Sequence, residues 1–154
     1  MQGKNVSQSS IVMTHCMMPH DANPAGNVHG GVVMKYIDDA AAMAAIRHVR
    51  GLAVTASIDT LSLHRPVFVG ELVFFRASVN LTGRSSMEVG VRVDAENIFT
   101  GELRHVASAY LTFVAVDDKG KPRQVPPLIA ETGDEKRRVL EAGKRREKRL
   151  SDKT

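Results

Sequence analysis

Asp38 interrupts an otherwise apolar, alanine-rich stretch, with Ile37 before it and Ala40-Ala41-Ala42 shortly after. A carboxylate on a buried helix face is costly, so it is kept there for a role or for a partner. About two helical turns upstream, Gly30-Gly31 stands where a loop gives way to that helix. Glycines at such a junction leave backbone N–H groups unshielded, and a helix N-terminus carries partial positive charge. Donors of this kind polarise a carbonyl or stabilise the oxyanion of acyl transfer, while a carboxylate serves as base or nucleophile.

Each feature alone has a plainer reading. Asp38 could pair on the helix surface, as Asp39 beside it could face solvent. Asn23 either orients a reactant through its amide or supports the turn with Pro24. His29 either contacts substrate or fixes the turn. Cys16 reads as a small buried strand residue, because a catalytic thiol needs a base and His15, its neighbour, points to the opposite face of a strand.

These groups must be positioned by a modest set of elements. Residues 1–9 are polar and read as a flexible N-terminus. Residues 11–18 suit a short strand, running into the loop Pro19-His20-Asp21-Ala22-Asn23-Pro24-Ala25-Gly26. Apolar positions Val33, Met34, Ile37, Ala41, Ala44, Ala45 and Ile46 recur at three- and four-residue steps, predicting a helix over 31–49 with Gly51 as its C-cap. Strands follow at 53–63, 71–81, 87–94 and 105–116, separated by turn residues; Met87, Val89, Val91 and Val93 alternate with polar neighbours. A charged helix over 134–149 ends the chain. One strand, one helix and four strands joined by short turns give an α+β domain over 10–130 whose sheet is antiparallel, followed by a charged helical tail over 131–154.

Composition narrows the function classes. The chain has 154 residues, enough for one domain with a real core. A single cysteine excludes an internal disulfide and any cysteine-rich metal site. No signal peptide and no run of about 18 apolar residues is present, so the expectation is a cytoplasmic protein without a membrane partner. The net charge of +4 comes mostly from the tail, where nine Lys/Arg face six Asp/Glu; the remainder carries twelve against eleven. With no tryptophan and two tyrosines, nucleic acid is not an expected partner.

The pattern N-x-x-G-N-V-H-G-G-x-x-M-K-x-x-D, from Asn23 to Asp38, resembles the signature of hot-dog acyl-CoA thioesterases, closest to the bacterial YciA-like and brain acyl-CoA hydrolase types. The likeness extends through Thr55-Ala56-Ser57-Ile58-Asp59, His64-Arg65-Pro66, Val69-Gly70-Glu71 and Thr82-Gly83-Arg84-Ser85-Ser86. It implies an antiparallel five-stranded sheet wrapped around one central helix. It also implies hydrolysis of acyl-CoA to fatty acid and coenzyme A, with Asn23 and Asp38 as the catalytic pair and Gly30 and Gly31 polarising the carbonyl. Val54 and Thr55 then match the strand beside the pantetheine channel, and Arg84, Ser85 and Ser86 the coenzyme A side. A guanidinium such as that of Arg84 matches phosphate geometry, though an exposed turn arginine is the plain alternative. No cofactor and no metal is implied, coenzyme A being part of substrate and product. The implied assembly is a homodimer whose sites take Asn23 from one subunit and Asp38 from the other, commonly three dimers in a hexamer. A non-catalytic acyl-CoA-binding module is the rival reading; a hot-dog hydratase would pair its acid with a histidine in a different motif.

Overall fold

The computed structural model describes residues 1–152. Its elements, in chain order, are β1 (Lys4–Asn5), β2 (Ile11–Cys16), α1 (Gly30–Val49), β3 (Ala53–Leu63), β4 (Leu72–Thr82), β5 (Ser86–Glu96), β6 (Leu103–Ala115), β7 (Leu128–Ile129) and α2 (Gly133–Asp152). Single 3₁₀ turns occupy Val6–Gln8 and Pro19–Asp21. Five strands form one antiparallel sheet in the order β2-β4-β5-β6-β3, leaving β2 and β3 at the edges. The sheet wraps one long helix, as the resemblance implies.

Helix α1 presents Val33, Ile37, Ala40, Ala41, Ala44, Ala45, His48 and Val49 to the sheet, a stripe of three- and four-residue steps. Alanine there serves approach rather than bulk: the backbone of α1 comes close to a floor of Val73, Phe75, Val89, Val91, Val93, Leu111 and Phe113. Fully burying one of the larger side chains, such as Ile37, contributes about 1.5–3 kcal/mol. Because side chains alternate along a strand, Glu88, Gly90 and Arg92 of β5 face away from α1. Helix α2 lies on that outer face, where Arg145 meets the Glu88 carboxylate at 2.7 and 2.9 Å and stacks over the Tyr110 ring.

Several expectations are corrected. The N-terminal residues are tied down: Lys4 and Asn5 pair with Leu128 and Ile129, Val6 and Ser9 are buried, and the Lys4 ammonium donates to the carbonyl of His48 at 2.7 Å. The strand partners lie over a hundred residues away and His48 lies 44 away, which local polarity cannot reveal. The helix is capped by Arg50 in the left-handed region at φ 52°, not by Gly51. A Cβ at Gly51 would meet only the Arg123 guanidinium, the far end of a flexible side chain that can move aside. Met34 lies off the buried stripe and is exposed. Cys16 is exposed as well, because the alternation of β2 turns Ile11, Met13 and His15 inward.

Candidate active site

The structure gathers the sequence-nominated residues into two groups. The first lies at the N-terminus of α1. Residues Asn23, Asn27, Gly30, Leu63, His64 and Arg65 line a cavity of about 250 Å³ whose apolar wall comes from Val28, Val33, Val67 and Val106. The loop carrying Asn23 is tightly turned: the Asn23 amide donates to the carbonyl of Asn27 at 2.8 Å, and the Gly26 amide to that of Asn23 at 3.0 Å. Gly26 meets this turn with a φ of 92°, a conformation that disfavours a side chain. Asn23 Oδ1 accepts from the Ala25 amide at 2.9 Å, so the turn itself orients the side chain. Its Nδ2 has no partner among the described residues and is available as a donor. The turn-supporting role and the reactant-orienting role are thus compatible within one side chain.

The glycine pair divides. The Gly31 amide donates to His29 Nδ1 at 3.0 Å, the N-cap of α1. The Gly30 amide has no partner among the described residues, so it alone is an open donor at the positive end of the helix dipole. His29 therefore acts on the turn. Asn27, which the sequence reading passed over, places a buried Oδ1 at the same cavity with no hydrogen-bond partner among the described residues. An asparagine after a turn glycine gives no sign of this in sequence.

The second group surrounds Asp38. Its carboxylate is half-buried on the flank of α1 and accepts from Thr55 Oγ1 of β3 at 2.7 Å. Asp39, one residue on, faces out and takes the Lys35 ammonium at 3.1 Å, which holds the lysine pKa above its ordinary value. Val54, Val114 and Ser86 fall in one row across β3, β6 and β5. The turn Arg84-Ser85 therefore sits at the same end of the sheet as Val54 and Thr55. Arg84 is exposed and has no acidic partner among the described residues.

Asp38 lies eight residues beyond Gly30, roughly 12 Å along the helix axis. Asp38 does not line the cavity that holds Asn23 and Gly30. Within one chain the open amide donors and the carboxylate thus stand apart, at opposite ends of the same helix segment. No three His, Cys, Asp or Glu side chains converge as metal ligands among the described residues.

Comparison with known proteins places this arrangement. Residues 25–100 match the thioesterase superfamily model. The chain is 41% identical over 128 residues to the uncharacterized acyl-CoA thioester hydrolase YkhA of Bacillus subtilis, covering 83% of this chain and 74% of that one. It is 39% identical over 142 residues to the cytosolic acyl coenzyme A thioester hydrolase of Mus musculus, covering 91% of this chain but only 36% of that protein's length. Among solved structures, an apo-hexameric acyl-CoA thioesterase superposes with a TM-score of 0.97 at 39% identity, over 100% of this chain and 99% of the other. An acyl-CoA hydrolase of Staphylococcus aureus, solved with butyryl coenzyme A and coenzyme A, superposes with a TM-score of 0.91 at 35% identity, over 97% and 92%. That enzyme was also solved as alanine variants of an asparagine, an aspartate 15 residues later and a threonine 17 residues beyond it, the spacing that Asn23, Asp38 and Thr55 have here. The chain belongs to the thioesterase superfamily and groups there with acyl-CoA thioester hydrolases.

Proposed function

We propose that this protein hydrolyses acyl-CoA thioesters at sites each assembled from two subunits. The observation that carries the reading is the separation just described: an ordered carboxylate, Asp38 on Thr55, and an open donor pocket, Asn23 with Gly30, that one chain does not bring together. Strand β3 offers the means of joining them. It is an edge strand with Val54 and Leu63 about half exposed, at 52% and 51%, and Ile58 at 41%. Antiparallel pairing of β3 with a second copy about its midpoint sets the Thr55 end of one subunit against the Leu63 end of the other. Leu63 and His64 line the donor pocket, so Asp38 of one subunit then approaches Asn23 of its partner. The hexameric neighbour supports three such dimers together.

In this reading the thioester carbonyl takes the Gly30 amide and the helix dipole, with Asn23 Nδ2 directing the carbonyl or the water. Asp38 removes a proton from water as its oxygen attacks the carbonyl carbon and returns that proton to the departing thiolate as the C–S bond breaks, giving carboxylic acid and coenzyme A thiol; in the other course Asp38 attacks directly, expels the thiolate and forms an anhydride that water then hydrolyses. The Thr55 hydroxyl holds the carboxylate in place. Arg84, Ser85 and Ser86, beside Val54, take the coenzyme A portion, with Arg84 matched to phosphate. These groups suffice without a metal or separate cofactor. The cytosolic naming of the mouse relative supports a cytoplasmic role in acyl-CoA turnover.

Thiol release from short, medium and long acyl-CoAs tests the proposal. Asp38→Ala lowers turnover by roughly 10²–10⁴-fold with the oligomer intact. Asn23→Ala is also impaired. Mixing Asn23→Ala and Asp38→Ala chains restores activity, because one site of each mixed dimer then carries neither lesion. Unchanged turnover in Asp38→Ala would sink the assignment. Binding of acyl-CoA without thiol release by the wild type would replace it with the binding-module reading.

A further inference from the structure

We infer that Glu71 and Arg104, outside the reacting groups, are positioning residues that set the orientation of Asn23; this rests on the function proposed above. The Arg104 guanidinium, on β6, binds both Glu71 oxygens at 2.6 Å, and both side chains are largely withdrawn from solvent, at 15% and 9%. Neither group is spent on the ion pair alone. Glu71 Oε1 also accepts from the backbone amide of Phe68 at 2.7 Å, and Arg104 Nη1 donates to the carbonyl of Pro66 at 3.1 Å, with its guanidinium over the Phe68 ring. One buried pair thus dictates the backbone shape of residues 66–71.

That segment holds the Asn23 loop at both of its ends. At the start, the Met17 amide donates to the carbonyl of Glu71 at 3.0 Å and the Gly70 amide to that of Met17 at 2.7 Å. At the finish, Asn27 bridges Phe68 and the Val28 amide donates to the carbonyl of Val67 at 2.8 Å. Between these two attachments the chain has no helix or strand longer than a single turn, and Asn23 gains its orientation from the short turn closed on Asn27. A shift of residues 66–71 therefore displaces Asn27, and Asn23 with it, while Asp38 and Thr55 stay where α1 and β3 hold them. Misplacement of a directing group by about 1 Å costs on the order of 10²-fold in rate.

The experiment is a double-mutant cycle in thiol release on the assembled protein. Glu71→Ala lowers kcat about tenfold to a hundredfold with KM within about twofold. Glu71→Gln, which keeps the acceptor for the Phe68 amide, recovers part of that loss. Arg104→Lys, which keeps the charge and loses the second nitrogen that holds the Pro66 carbonyl, lowers kcat in the same direction and serves where Glu71→Ala fails to fold. On an Asn23→Ala background none of the three lowers kcat further, because the group they position is gone. Equal loss on both backgrounds overturns the inference, as does a fall in thermal stability with kcat unchanged. An impaired Asn23→Ala beside wild-type kcat in Glu71→Ala and Arg104→Lys overturns this inference alone. Wild-type kcat in Asn23→Ala overturns the proposed site and this inference together.

Discussion

Two helices of 20 residues lie on opposite faces of one sheet and are held there by different physics. Helix α1 is attached by dry contact: Ala40, Ala41, Ala44 and Ala45 are fully buried, and its one buried titratable group, His48, is imidazole against the Pro126 carbonyl at 2.8 Å. Helix α2 buries one residue, Ala142, and is attached through charge, with Arg145 on Glu88 and Arg149 on Asp59 at 3.4 Å. The difference separates two tasks. A helix seated by packing holds its ends rigidly, and α1 carries an open amide at one end and Asp38 on its flank. A helix seated by ion pairs covers polar surface, and α2 shields Glu88 and Asn80, whose amide meets that carboxylate at 3.1 Å.

Removing a partner from the charged attachment has the largest expected effect on stability. Arg145→Ala leaves Glu88, 3% exposed at its side chain, without its cation. That costs about 3 kcal/mol or more, read as a lowered urea midpoint. The pair Arg145→Met with Glu88→Leu recovers most of it if the attachment is electrostatic rather than shape-determined. A double variant no more stable than Arg145→Ala breaks that side of the comparison.

The packed attachment is tested by bulk. Ala44→Leu inserts volume where the helix meets the sheet and costs about 1–3 kcal/mol by overpacking. The same substitution at exposed Met43 is near neutral in the same urea titration. Equal effects at the two positions would show that α1 is not closely seated.

The smallest effect is a pH dependence. Burial holds the His48 pKa below its ordinary value, with the Pro126 carbonyl opposing. Asp21 behaves in the other charge sense: the Met18 amide, at 2.9 Å, lowers its pKa. In the unfolded chain His48 binds a proton below about pH 6.5, whereas the folded chain resists it. Its contribution is therefore complete above that pH and declines as pH falls toward the folded value. Melting temperature should drop modestly from pH 7.5 to 5, and less so in His48→Gln. For Asp21 the stabilisation is present above about pH 4 and is lost only in stronger acid.

Much of this was legible along the chain, for local reasons. The three- and four-residue spacing from Val33 to Ile46 specified a helix, and the alternation from Met87 to Val93 specified a strand buried on one face. The motif from Asn23 to Asp38 nominated the candidate site residues because the loop, the glycine junction and the acid lie within 16 residues. What escaped depends on contacts between distant segments. The pairing of Lys4 and Asn5 comes from Leu128 and Ile129, and the exposure of Cys16 from which face of an edge strand meets α1.

Residue types and spacing by themselves determined the α+β class, the helix carrying Asp38, and the family, since these are encoded in short periodicities and one continuous motif. Only the tertiary structure decided that Gly30 and not Gly31 keeps a free amide, because His29 turns back to take the other. It alone set Thr55 on Asp38 across 17 residues and Arg104 on Glu71 across 33, since hydrogen-bond partners are chosen by where the folded backbone brings side chains. It also decided that Asp38 stays outside the cavity that Asn23 and Gly30 line, because its side chain turns to Thr55 of β3, a gap closed in the proposed assembly by a second copy of the chain.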